Sequence, residues 1–105
     1  MDYIKHQVIV TATASEEMDE IYNYILNTLK SSQAASNLIL QAENRVKYLQ
    51  YSPSIYVQIE KYDELNRKYR RMPIKNYVLL YAIDVNKNIV YISHMYYGKR
   101  NYVKE

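Results

Sequence analysis

The residues most capable of chemistry lie late in the chain: Arg67-Lys68-Tyr69-Arg70-Arg71, then Lys75, then His94, and finally Tyr96-Tyr97-Gly98-Lys99-Arg100 with Tyr102. Cationic side chains bind phosphate and phenol rings stack on bases, so arginine beside tyrosine suits single-stranded RNA. Protein interfaces are enriched in the same two residue types, and the pattern leaves both targets open. Cutting RNA without a metal needs a base for the 2′-hydroxyl proton, cations for the phosphorane and an acid for the leaving 5′-oxygen. Arg70, Arg71, Lys99 and Arg100 are candidates for the cations, and His94, Tyr96, Tyr97 and Tyr102 for the proton transfers. Histidine titrates near neutrality unaided, whereas tyrosine needs a large pKa shift to act as a base. His94 has apolar neighbours, Ile92 and Met95, which equally suit a hydrogen-bonded core histidine. Arg67, Lys68, Arg71, Lys75 and Lys99 are the candidate nucleic-acid contacts.

Other chemistries find little support. The chain has no cysteine, hence no disulfide or thiolate site, and its two histidines, His6 and His94, are far apart in sequence. No carboxylate cluster suggests Mg²⁺, a single glycine rules out a glycine-rich phosphate loop, and no Ser/His/Asp spacing is specific. No metal and no cofactor is implied. Tyrosine occurs 14 times with no Phe or Trp; the plain reading is that many of these rings fill the core in place of Phe, the remainder being exposed and available for stacking.

Charge sharpens the asymmetry. Residues 1–60 hold four basic and seven acidic side chains, a net −3, and residues 61–105 hold ten and four, a net +6, together the overall +3. A concentrated positive field attracts phosphate backbones or an acidic protein. A solvated basic face without a partner is the plainer alternative.

At 105 residues the chain is sized for one domain over 1–105, and nothing in it reads as a linker or a repeat. The first residues lack a signal-peptide pattern and no apolar run is long enough to span a bilayer, so a cytoplasmic location without membrane contact is expected. Tyr3–Val10 alternates as a strand. Thr13-Ala14-Ser15-Glu16 fits a capping box opening a helix, with Glu16, Glu17, Asp19 and Glu20 near its positive end and Met18, Ile21, Tyr22, Ile25 and Leu29 at helical spacing. Ser31-Ser32 offers a fresh N-cap for a second helix from Gln33 to Gln50, and so short a connection makes an antiparallel helical hairpin. Residues 53–66 are ambiguous: Ile55–Ile59 suits a short strand, but the charges that follow suit a loop. Lys68–Ile74, Tyr77–Ile83 and Ile89–Tyr96 read as strands, the middle one apolar enough to be covered on both faces, with a turn over Asp84–Asn88. The expected fold is α+β, ordered β-α-α-β-β-β, an antiparallel sheet with the helical hairpin packed on one face. Strand periodicity then sends Arg70 and Arg71 to opposite faces, so that one of them looks outward.

With these pieces in order the chain resembles the RelE/ParE toxins of bacterial type II toxin-antitoxin systems. The likeness rests on Glu17-Met18-Asp19-Glu20-Ile21-Tyr22-Asn23-Tyr24-Ile25, Tyr69-Arg70-Arg71-Met72-Pro73-Ile74-Lys75-Asn76-Tyr77, Tyr81-Ala82-Ile83-Asp84 and Tyr97-Gly98-Lys99-Arg100-Asn101-Tyr102. It implies a growth-arresting toxin. RelE-like members are ribosome-dependent mRNA endonucleases and ParE-like members poison DNA gyrase; mRNA cleavage on the ribosome is the expected activity, with gyrase inhibition or an inactive binding fold as alternatives. By position, Arg70 matches a basic residue of the RelE-like array, Arg100 its arginine after the glycine and Tyr102 its late tyrosine. Tyr97 stands where many ParE-like chains have a histidine before the glycine. Val78 departs, because RelE-like enzymes carry arginine there. Both activities imply a cognate antitoxin, small and often acidic, that wraps the toxin with an amphipathic helix or an added strand.

Overall fold

The computed structural model describes residues 4–99. Strand β1 (Gln7–Val10) runs into helix α1 (Ala12–Asn23), a π-helical turn (Tyr24–Thr28) prolongs that helix, and α2 (Ser32–Leu49) returns alongside it. Strands β2 (Gln58–Tyr62), β3 (Lys68–Ile74), β4 (Tyr77–Asp84) and β5 (Ile89–Tyr97) follow, and the sheet order is β1-β5-β4-β3-β2.

The first helix starts earlier than the Thr13 capping box suggests. Its cap is Thr11, whose Oγ1 accepts the Ala14 N–H at 3.2 Å. The Thr11 N–H itself donates to the Ile92 carbonyl at 3.0 Å. Pairing with β5 therefore fixes where the strand stops and the helix begins, and no acidic residue falls in the first turn. Ser31 caps α2 as the sequence indicates, its Oγ accepting from Ala34 N–H at 3.1 Å; such a cap contributes about 1 kcal/mol. Lys30, in the left-handed region at φ 56°, reverses the chain between the helices.

The α+β reading with a helical hairpin on one face holds, and two features extend it. Residues 58–62, inside the ambiguous segment, form β2, which pairs antiparallel with β3. Strand β1 pairs parallel with β5, so the sheet is mixed rather than wholly antiparallel. The reason is topological: the hairpin carries the chain from one edge strand across the sheet, and the last strand closes the gap beside the first.

Two unequal cores result. Between helices and sheet lie Ala35, Leu38, Ala42 and Leu49 against Met72, Ile74, Leu79, Tyr81, Val90, Ile92 and Met95. On the opposite face Val78, Leu80 and Tyr96 are buried together, with Ile59 and Tyr69 packed on them. Strand β4 is apolar on both faces because both are covered. Strand β5 carries a bulge: Leu80 pairs with His94 while Tyr81 pairs with Ile92, leaving Ser93 as the extra residue. That one residue reverses the alternation and places His94 and Tyr96 on the face away from the helices. Among the described residues no helix is long and apolar enough to cross a membrane.

Candidate functional site

Register decides which arginine of β3 faces outward. Arg70 pairs with Tyr81 of the helix-side core, and Arg71 pairs with Leu80 of the opposite face. The Arg70 Nη1 donates to the carbonyls of Ser54 at 3.0 Å and Tyr56 at 2.6 Å. It thereby clamps the connection between α2 and β2. Arg45 braces the same region, its Nη1 donating to the Pro73 carbonyl at 2.7 Å and the Tyr56 hydroxyl at 3.3 Å. Tyr81, fully buried, donates its hydroxyl to the Pro53 carbonyl, and burial pushes its pKa up to about 12.

Arg71 instead lines a cleft of about 220 Å³ at the end of the sheet, where Lys75, Lys99, Tyr77 and Tyr97 join it. Lys75 occupies the tight turn between β3 and β4 at φ 53°, a left-handed conformation unusual for lysine. The Gly98 N–H donates to the Asn76 carbonyl at 2.7 Å. A Cβ on Gly98 would sit 3.0 Å from that oxygen, so glycine lets the end of β5 approach the turn and sets Lys99 beside Lys75. No carboxylate or imidazole is among the described residues lining the cleft. Burial, and then the neighbouring hydroxyls of Tyr24 and Tyr97, raise the Tyr77 pKa above 10.0, so this phenol keeps its proton at neutral pH.

The remaining candidates lie elsewhere. Arg67 pairs with Asp63 at 2.7 Å, approaches Asp84 at 3.8 Å and lies over the Tyr91 ring at 4.5 Å. Burial works to raise the Asp63 pKa, but the hydrogen bonds and charge of Arg67 outweigh it and hold the carboxyl below 3.8. Lys68 is bound to Glu60 at 3.1 Å. His94 lies on the same face as Arg71, two strands away with Leu80 between them. Its Nδ1 is 3.3 Å from Glu17 Oε1, its ring meets Tyr69 edge-on at 6.0 Å, and it borders a separate cleft of about 270 Å³ with Thr11, Thr13, Arg67 and Tyr91. Tyr97 packs edge-on against Tyr77, with centroids 5.7 Å apart. Arg100 and Tyr102 lie outside the described residues. Among the described residues no three His, Asp or Glu side chains gather as a metal-holding group.

The structure thus brings Arg71, Lys75 and Lys99 together, with Tyr97 beside them, and separates Arg67, Lys68, Arg70 and His94 from them. Sequence reading passed over Glu17 as a site residue. Its carboxylate accepts the Met95 N–H at 3.0 Å as well as facing His94, a contact spanning 78 residues with no local signature.

Residues 8–102 match the family model described as the ParE toxin of the type II toxin-antitoxin system, parDE. The chain belongs to this ParE toxin family. It is a type II toxin by descent, as the RelE/ParE resemblance indicated. Solved structures agree at the level of the fold. The chromosomal ParDE system from P. aeruginosa superposes with a TM-score of 0.68 at 14% identity, covering 89% of this chain and 96% of that one. The RelBE2 toxin-antitoxin complex from Mycobacterium tuberculosis gives 0.59 at 16%, covering 91% and 97%. The archaeal RelE-RelB complex from Pyrococcus horikoshii gives 0.57 at 12%, covering 91% and 98%. No curated protein sequence matches the chain.

Proposed function

We propose that this ParE-family toxin arrests growth by holding an anionic target in the Arg71–Lys75–Lys99 cleft without cutting it, and that the target is DNA gyrase engaged on DNA. One observation carries the reading: three cations line the cleft, and no carboxylate or imidazole is among its described lining residues. Phosphate binding needs only the cations, whereas hydrolysis of RNA needs the base as well. Two further facts point the same way. Arg70, the residue that the RelE-like array would use, spends its guanidinium on the Ser54 and Tyr56 carbonyls. Val78, where that array has arginine, is buried. A cognate antitoxin neutralises the toxin; the similar structures of toxin-antitoxin complexes support that partner.

Ribosome-dependent mRNA cleavage is the second reading, favoured by His94, which shares a face with Arg71 and has a carboxylate at its Nδ1. Induction of the chain in cells separates the two. Gyrase-linked DNA breaks with intact transcripts are the expected result. Transcripts cut at defined sites by primer extension, with undamaged DNA, reverse the order of the two readings.

A further inference from the structure

The face of the sheet away from the helices carries a second cleft, of about 270 Å³, beside the cationic one. Arg71 and His94 pair with Leu80 from its two sides, so their Cα atoms stand two strand spacings apart, about 10 Å, on one surface. The Ser93 bulge shapes this cleft: Tyr91 precedes it, His94 follows it, and the extra residue turns both toward the same face. Tyr69 joins their aromatic wall, meeting the His94 ring edge-on at 6.0 Å. Leu65 also lines the cleft, an apolar side chain held out at 71% exposure. Its loop is braced: Asp63 Oδ1 accepts the Leu65 N–H at 3.0 Å and the Arg67 N–H at 2.9 Å, and Asn66 makes the left-handed turn at φ 63°. Charge here opposes phosphate. Arg67, the one guanidinium in the lining, is bound to Asp63 at 2.7 Å and lies over the Tyr91 ring, while Glu64 adds a second carboxylate.

We propose that this cleft receives an unpaired base of the DNA strand whose phosphates lie in the Arg71–Lys75–Lys99 cleft, and that it sets which sequence the protein holds. The inference rests on the DNA-bound target proposed above and adds how a site on that DNA is chosen. Phosphate contacts position a strand without reading it, and base contacts specify. An uncharged planar ring suits the cleft where a phosphate does not: it stacks on the aromatic wall and covers Leu65. Glu64 offers acceptors only, so it prefers an edge with adjacent N–H donors. Guanine presents two, N1–H and N2–H, against the single N3–H of thymine. The hydroxyls of Thr13 and Ser93 donate or accept along the rest of that edge. An acidic peptide is disfavoured, since two carboxylates would face its own. The cations thus supply affinity and the aromatic cleft supplies choice, so a change at His94 alters which site is held rather than whether growth stops.

The test measures binding of the full chain, by fluorescence anisotropy, to a labelled oligothymidine and to the same strand with one central guanine. The guanine strand should bind at least about fivefold tighter. Glu64→Gln and Leu65→Ala, both at exposed positions of the loop, should each bring the two strands toward equal affinity. Arg71→Gln with Lys99→Gln should instead weaken both strands alike and lower the salt slope by about 1.4, two lost phosphate contacts at about 0.7 each. Equal affinity of the two strands for the parent chain, or a guanine preference that survives both loop variants, would overturn the proposal. Tighter binding of an oligouridine carrying the same guanine would overturn its assignment to DNA. Growth arrest is scored separately: a harmless chain that shows the guanine preference removes the toxin reading alone, and a chain that arrests growth without the preference removes this proposal alone.

Discussion

Arg70 and Arg71 are consecutive on β3 and leave it on opposite faces, Arg70 reaching the Ser54 and Tyr56 carbonyls and Arg71 entering the cleft beside Lys75 and Lys99. One guanidinium belongs to the fold, and the proposed function assigns the other to the target. The division follows from pairing register: Arg70 lies opposite Tyr81 and Arg71 opposite Leu80.

Replacing the two should therefore give opposite phenotypes. Arg70→Gln removes charged hydrogen bonds to two carbonyls and should cost about 2–3 kcal/mol of stability. Arg71→Gln should stay within about 0.5 kcal/mol of the parent and still lose growth arrest. Urea denaturation of both proteins, alongside growth curves after induction, checks the pair.

Lys75 separates stability from function in a second way. At φ 53° its backbone is one that glycine adopts more easily. Lys75→Gly should keep or raise stability, by up to about 1 kcal/mol, while removing a cleft cation and weakening toxicity. A variant that is both less stable and fully toxic would contradict the assignment.

Much of the scaffold can be read from residue patterns, and the failures have identifiable physical causes. Strand β4 declares itself by near-continuous apolar sequence, and Ser31 by its hydroxyl at a break in helical periodicity. Thr11 and Thr13 both offer a capping hydroxyl; the Thr11 N–H bond to Ile92, a tertiary contact, selects the earlier one. Period-2 alternation says that one of Arg70 and Arg71 faces outward but not which, because register depends on partners across the sheet. The partners of Arg70 lie in residues 53–66, where local pattern is weakest. His94 faces away from the helices only because Ser93 is bulged, and serine carries none of the signal that a glycine would.

Tyr81 makes a pH prediction. Its folded pKa is raised to about 12 from 10.0, so the neutral phenol contributes stability that is fully present below pH 10 and is lost as pH rises through 12. Stability of the parent should fall across that alkaline window, and Tyr81→Phe should flatten the fall. The same substitution leaves the Pro53 carbonyl without its hydroxyl donor and should cost about 1–3 kcal/mol at neutral pH. Denaturation midpoints measured across the window, for parent and variant, test both statements.

In the proposed function the working cations are those of the Gly98 cleft, and His94 is not part of their work. Growth after induction compares two chains directly: one carrying Arg71→Gln with Lys99→Gln, the other carrying His94→Gln. The cleft variant, folded and soluble, should no longer arrest growth, while the His94 variant still does. Arrest lost with His94→Gln and retained with the cleft variant would contradict it.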